Sequence, residues 1–269
     1  MSHFSPFSHR QRHVRDGAQS RSRRAAALAS GTLLLGLTAA LSPAQPVAAA
    51  ATPLEGAGTC ANIDMVYRDK SAFPDTARGR VDYRMQSSAI ERAVLCLVNA
   101  ERTAGGLRPL SRPYALGKMG KNSPPTLGNA AARHAADAVK LRWWGEVQPG
   151  KKCVPNKDNP KTSQDESKTC NSHIHPQTES TPLSRAQAVG YCRRGTPSIA
   201  ENTYAGWGRG YVTARAAVSR WMGSEGHRNN ILSPDFTVLY TRVAWGSADP
   251  AAGSTTPALT YVQMFGHCA

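Results

Sequence analysis

The stretch Ser224-Glu225-Gly226-His227-Arg228-Asn229-Asn230-Ile231-Leu232 carries the most concentrated chemical pattern in the chain. Glu225 and His227 lie two residues apart, so an extended backbone would direct both side chains to the same side. Gly226 between them has no side chain and lets the segment bend. A carboxylate and an imidazole presented together are groups that bind a divalent cation or a water molecule.

Two other residues extend this candidate site. His173 follows Ser172 in a predicted loop, and Glu201 lies in Ala200-Glu201-Asn202. Two histidines and one glutamate form a common catalytic zinc set, and a second glutamate can orient or deprotonate a water. Spacing alone leaves the alternative open that each of these residues is a surface or loop-stabilising group.

The apolar pattern predicts helices in the first part of the chain and paired strands at its end. Helices are predicted through Ile90 to Glu101, over Leu127–Trp144, over Ser184–Val189 and over 211–223. His134 lies beside the apolar face of the second helix, and we interpret it as a packed or hydrogen-bonded residue. Val238–Trp245 and Ala258–Phe265 have strand character, with residues 246–257 as a hairpin connection. This order indicates an α+β fold with an antiparallel sheet.

The first fifty residues have the order of a secretory signal peptide. A leader with six arginines precedes an apolar run from Ala25 to Leu41, and Ala48-Ala49-Ala50 offers a cleavage site. A membrane anchor is the alternative, but the run is marginal in length for a full span. We therefore predict a signal peptide over 1–50 and an extracellular protein without a transmembrane span after processing.

The chain is strongly basic, with a formal net charge of +15. Removing the six arginines and one aspartate of residues 1–50 leaves +10 for the mature chain. Such an excess can attract anionic polymers. The mature part shows no Lys/Arg-rich cluster, and its aromatic residues do not alternate with basic ones, so we interpret the charge as diffuse. Nucleic acid is therefore not the expected specific partner.

All six cysteines lie in the mature part, which predicts three disulfides in an exported chain. They are Cys60, Cys96, Cys153, Cys170, Cys192 and Cys268. Six cysteines allow 15 pairings, and only Cys153–Cys170 is local enough to predict. That bridge would close the Gly- and Pro-rich loop 145–171, for a stabilisation of about 3 kcal/mol in the chain-entropy model.

An ordered series of motifs resembles the CAP superfamily of cysteine-rich secretory proteins, antigen 5 and pathogenesis-related-1 proteins, and its bacterial secreted members in particular. The resemblance covers about residues 87–266. The motifs are Leu97-Val98-Asn99-Ala100-Glu101-Arg102, Ala131-Ala132-Arg133-His134-Ala135-Ala136-Asp137, Ser172-His173 with Pro176, Gly190-Tyr191 with Ala200-Glu201-Asn202, Gly226-His227-Arg228-Asn229-Asn230-Ile231-Leu232 and Tyr261-Val262-Gln263-Met264-Phe265-Gly266.

The resemblance implies an α-β-α sandwich, with a central antiparallel sheet between helical layers. It identifies residues 87–269 as a CAP (SCP) domain, with 145–171 as a loop insertion. Residues 51–86 have few periodic apolar stretches and are predicted to be an N-terminal extension that docks or stays mobile. The resemblance also implies a cleft lined by a His-Glu-Glu-His tetrad, which falls on His173, Glu201, Glu225 and His227. Zinc is the implied cofactor, with His173 and His227 as its ligands. His175 is a rival for the first histidine, but Pro176 follows His173 by three residues, as in bacterial relatives.

Three functions are compatible with this sequence. The first is a secreted, monomeric binding module for a lipid, glycan or cell-wall component, with a metal-capable cleft. The second is a metal-dependent hydrolase or peptidase that uses Glu201 or Glu225 as a catalytic base. The third is a structural or defence protein that acts through its surface. Family membership does not decide among them, because one fold supports many functions.

Overall fold

The structure is a computed structural model, and it describes residues 54, 56–112, 126–157 and 166–269. The predicted signal peptide lies outside the described residues, as do residues 158–165 of the loop insertion. The predicted α+β class is confirmed. The helices are α1 (Ala77–Ala104), α2 (Leu127–Leu141), α3 (Pro182–Ala188), α4 (Ala214–Met222) and α5 (Glu225–Leu232), and the strands are β1 (Gly145–Glu146), β2 (Thr169–Cys170), β3 (Pro197–Trp207), β4 (Val238–Trp245) and β5 (Ala258–Cys268).

The main sheet has the strand order β3-β5-β4, and both of its pairings are antiparallel. The predicted hairpin of β4 and β5 is confirmed, with Leu239 opposite Phe265. β5 is the central strand and is buried over most of its length. β3 was not predicted as a strand. It pairs with β5 along all eleven of its residues and forms one edge of the sheet.

Helices cover both faces of this sheet. Leu259, Tyr261 and Phe265 of β5 pack in a core with α1, α4 and α5. Val262 and Met264, which point to the other face, pack in a second core with α2 and α3. Because successive strand residues point to opposite faces, β5 contributes to both cores. The layers are therefore those of the α-β-α sandwich that the resemblance implied.

The N-terminal extension docks on the domain. Tyr67 is 2% exposed and joins the core of α1 and α4, and the Cys60–Cys96 disulfide ties the extension to α1. α1 begins at Ala77 with Thr76 as its N-cap, ten residues before the boundary drawn from the sequence. Its first three turns are mostly exposed, so they lack the apolar periodicity from which a helix is predicted.

The predicted Cys153–Cys170 disulfide is present, as is a third bridge, Cys192–Cys268. Backbone hydrogen bonds hold the described part of the loop insertion on both sides. β1 pairs with β2 on one side, and the amide of Asn156 donates to the carbonyl of Thr169 on the other. This arrangement leads directly into Asn171 and His173. None of the described helices is long and apolar enough to cross a membrane.

The prediction of an extended backbone at Glu225-Gly226-His227 is wrong, because this segment forms the first turn of α5. Residues two apart on a helix are rotated by about 200° from each other. Glu225 and His227 therefore point in different directions, and only Ile231 of α5 is buried.

Candidate ligand-binding cleft

The edge strand β3 places two polar residues on opposite faces of the sheet. Glu201 points into the layer of α2 and α3, opposite Met264 of β5, and is 5% exposed. Asn202, the next residue, points toward α5 and is fully buried. The candidate site therefore lies at this edge, between the loop after β2 and helix α5.

Both carboxylate oxygens of Glu201 accept hydrogen bonds. Arg185 of α3 donates from Nη2 to Oε1 at 2.9 Å and to Oε2 at 2.8 Å. His173 Nδ1 lies 3.0 Å from Oε1. The other terminal nitrogen of Arg185 donates to the carbonyls of His173 and Ser180. One arginine thus neutralises the buried carboxylate and also fixes the backbone that carries His173.

These contacts keep Glu201 ionised. Burial alone would raise the pKa of its carboxyl group, but the hydrogen bond from His173 and the nearby charges, including the Arg185 guanidinium, outweigh burial and lower this pKa. A carboxylate with a lowered pKa and occupied oxygens is a poor proton acceptor. Glu201 is therefore a group that orients its neighbours.

The contact with Glu201 determines which tautomer the neutral His173 ring adopts. Nδ1 donates to the carboxylate, so in the neutral ring the lone pair lies on Nε2. The side chain of His173 is 34% exposed, so this second nitrogen can meet a ligand. A histidine whose other ring nitrogen is held by a carboxylate is the arrangement found at metal ligands in proteins.

His227 approaches the same place from α5. Burial, together with the charges of His173 and Arg220, lowers the pKa of His227 to about 4. Its ring is therefore neutral at neutral pH. Nδ1 of His227 is buried and has no hydrogen-bond partner within the described chain, and an unpaired buried ring nitrogen is a position that a ligand can satisfy.

A buried amide network fixes the position of α5. Asn202 Nδ2 donates to the carbonyl of His227 at 3.2 Å and to Gln263 Oε1 at 3.0 Å. Asn230 of α5 donates back to Asn202 Oδ1 at 2.9 Å. Since this network bonds to the main chain of His227, its imidazole is carried on a rigid helix.

His134 of α2 supports the cleft from below. Its Nε2 donates to the carbonyl of Ser172 at 2.8 Å and lies 3.8 Å from Glu201 Oε1. Burial lowers the pKa of His134 to about 4, although the charge of Glu201 acts in the opposite direction. The ring is therefore neutral at neutral pH, and its contact with Glu201 is not an ion pair. The interpretation of His134 as a packed, hydrogen-bonded residue agrees with this geometry.

The four predicted site residues differ in their contacts and exposure. His173 bonds to Glu201 at the edge of β3, and the carbonyl of His227 accepts from Asn202, the residue after Glu201, whereas Glu225 is exposed at the start of α5. No side-chain hydrogen bond or ion pair joins Glu225 to another residue in the described ranges. The rival His175 is 8% exposed, and its Nδ1 accepts from the amides of Gln177 and Thr178. It is a loop-stabilising residue.

Sequence analysis missed Arg185. It is one arginine in a seven-residue helix, and neither its spacing nor its neighbours mark it as buried. Its role depends on Glu201, sixteen residues further along the chain. Only a structure brings the two together.

The protein is thus an α-β-α sandwich domain with three disulfides, and an oriented imidazole, that of His173, lies at the edge of its sheet. Residues 151–239 match the model of the cysteine-rich secretory protein (CAP) family. This match confirms the resemblance to the CAP superfamily that the order of the motifs indicated.

Two solved structures are similar to this chain. An extracellular protein containing an SCP domain from Bacillus anthracis is 19% identical, with a TM-score of 0.43, over 71% of this chain and 44% of that one. An outer surface protein from Borrelia burgdorferi is 14% identical, with a TM-score of 0.36, over 71% of this chain and 95% of that one. This chain thus spans less than half the length of the Bacillus protein. No curated protein sequence matches it.

Proposed function

We propose that this protein is a secreted CAP-domain binding module that takes a lipid, glycan or cell-wall component at the cleft of His173 and His227. The observation that carries the proposal is the double hydrogen bond from Arg185 to Glu201. This pair fixes the carboxylate of Glu201, and the carboxylate in turn holds the His173 ring in one orientation. The cleft thus presents a preorganised donor set, which favours binding.

The hydrolase alternative needs a carboxylate that can accept a proton from water. Glu201 is paired with Arg185, and Glu225 lies on the exposed start of a helix. A catalytic zinc also takes three protein ligands, and the described residues contain no group of three or more His, Cys, Asp or Glu placed to hold a metal. The geometry therefore supports the binding module better.

The imidazoles of His173 and His227 could supply two of the ligands of a divalent cation. Nε2 of His173 and a ring nitrogen of neutral His227 would be its protein ligands, and water or a ligand oxygen would complete the coordination. Such an ion would supply a Lewis-acidic point for an oxygen of the bound molecule. Glu201 would act behind His173, where it orients the ring.

We expect His173→Ala and His227→Ala each to weaken zinc binding at least tenfold at neutral pH, because each removes one of two imidazole ligands. Isothermal calorimetry on protein purified from the medium measures this. His267→Ala is the matched control, because His267 lies near the end of β5 and contacts Thr237. If the wild type shows no zinc heat, or if all three variants bind equally, the cation part of the proposal is wrong.

A further inference from the structure

The surface next to His227 has a strong imbalance of charge. The segment from Tyr204 to Asn230 contains four arginines and one carboxylate, Glu225. Arg215 is occupied by a two-bond ion pair with Asp64, at 2.7 and 2.8 Å. Arg228 donates to the carbonyl of Met222. Arg209 and Arg220 are exposed, and no carboxylate of the described chain pairs with them. The positive charge is therefore less evenly spread than the sequence analysis suggested.

An aromatic ring stands on the same surface. Tyr211 closes the short turn Arg209–Tyr211 after β3 and is 41% exposed. It is the one aromatic residue among the large exposed hydrophobic side chains of the described chain. A solvent-exposed tyrosine offers a flat apolar face and a polar tip, which is the combination enriched where proteins bind partners.

The turn that carries Tyr211 is packed tightly on β3. The hydroxyl of Tyr204 donates to the carbonyl of Tyr211 at 2.9 Å. A Cβ at Gly206 would lie 1.9 Å from that same carbonyl oxygen, so the close approach requires glycine. The Tyr204 ring is held in turn by Tyr261, with ring centroids 5.9 Å apart. Tyr211 is therefore displayed on a fixed backbone.

Arg220 connects this turn to the cleft. The neighbouring Trp221 donates from Nε1 to the carbonyl of Thr203 at 3.0 Å, which holds α4 against β3. Asn202, next to Thr203 on the same strand, donates to the carbonyl of His227 at 3.2 Å, so β3 also holds the start of α5. Arg209, Tyr211 and Arg220 are thus exposed residues on elements that bond to Thr203 and Tyr204 of β3, next to the residue that bonds to His227.

We propose that Arg209, Tyr211 and Arg220 bind a glycan chain that carries carboxylate groups and extends from the cleft at His227. The proposal rests on the proposed function and names the class of its ligand. The apolar face of a sugar ring would stack on Tyr211, and the guanidinium groups would bind carboxylates in two-bond pairs. The unpaired arginines favour an acidic chain over a neutral one.

Nucleic acid is the competing partner, because phosphates also bind arginine and bases also stack on tyrosine. The surface has one exposed ring and two unpaired arginines, whereas strands bound without sequence preference use a series of stacked bases along a basic groove. The predicted export and the three disulfides also favour an extracellular ligand.

The test compares matched hexasaccharides by calorimetry with protein purified from the medium. One is an oligomer of N-acetylglucosamine, and the other alternates N-acetylglucosamine with N-acetylmuramic acid, which adds only a lactyl ether with its carboxylate. Hexagalacturonate is a second acidic probe. We expect at least one acidic chain to bind about tenfold more tightly than the neutral one, and its affinity to fall with added salt.

Variants locate the site. Arg209→Gln, Arg220→Gln and Tyr211→Ala should each weaken the acidic chain about tenfold, in line with the loss of one charged hydrogen-bonding group or one stacking ring. Tyr211→Phe keeps the ring and should bind as the wild type does. Arg133→Gln is the control, because Arg133 is exposed on α2 in the other helical layer.

The outcomes separate this inference from the proposed function. Equal binding of acidic and neutral chains, or equal binding by all variants, would overturn the inference and leave a binding module whose ligand lies elsewhere. Failure to bind any glycan, lipid vesicle or wall fragment would overturn both. A thymidine dodecamer that binds more tightly than the acidic glycans and loses affinity in the same variants would overturn the glycan assignment.

Discussion

Replacing Arg185 with methionine is expected to lower the free energy of unfolding by about 3–5 kcal/mol, the cost of removing one partner of a buried ion pair. The side chain of Glu201 is fully buried and that of Arg185 is 9% exposed. The variant would leave a carboxylate without its permanent counter-charge, and it would release the carbonyls of His173 and Ser180. Urea unfolding followed by circular dichroism measures the change.

The double variant Arg185→Met/Glu201→Gln should recover much of this loss, because the buried negative charge is then absent. Arg133→Met is the matched control and should change stability by less than about 0.5 kcal/mol, as exposed substitutions usually do. A loss below about 1 kcal/mol in Arg185→Met, or no recovery in the double variant, would show that the pair does not hold the cleft together.

Acidification from pH 6.5 to pH 4 is expected to remove about 3 kcal/mol of stability through His134 alone. Its pKa is lowered from 6.5 to about 4 in the fold, with burial as the main cause. Between these values the unfolded chain binds a proton at His134 and the folded chain does not. Stability contributed by the neutral ring is therefore present above pH 6.5 and lost as the pH falls.

The variant His134→Gln isolates this effect, because a glutamine amide can donate to the carbonyl of Ser172 but does not titrate. Its stability should fall less steeply over the same pH range than that of the wild type. His227 also has a pKa of about 4, so both proteins should keep a residual slope. Parallel curves for the two proteins would contradict the buried, neutral state of His134.

The sequence predicted those elements whose own residues show a clear helical or strand pattern. The strand character of Val238–Trp245 predicted a strand with the observed bounds, and the apolar face of α2 predicted its start at Leu127. α2 ends at Leu141 rather than Trp144, because Arg142 adopts a left-handed conformation, with φ of 51°. The Cys153–Cys170 pairing was predictable because its loop is short.

Sequence signals failed where tertiary contacts decide the structure. β3 reads Pro-Ser-Ile-Ala-Glu-Asn-Thr-Tyr-Ala-Gly-Trp, with polar residues at its centre, because Glu201 and Asn202 are buried by partners on other elements. α5 buries only Ile231, so it shows no helical periodicity. The extended backbone expected at Glu225-Gly226-His227 was wrong, because this segment begins α5.

Mass spectrometry of ligands recovered after incubation with the zinc-supplied protein tests the central claim most directly. A broad peptide mixture and the acidic hexasaccharides are incubated at neutral pH, and their masses are compared with those of samples held without protein. A binding module predicts unchanged masses, with at least one glycan, lipid or wall component retained on the protein. Cleavage products that disappear in Glu201→Gln or Glu225→Gln would contradict the account and identify a hydrolase.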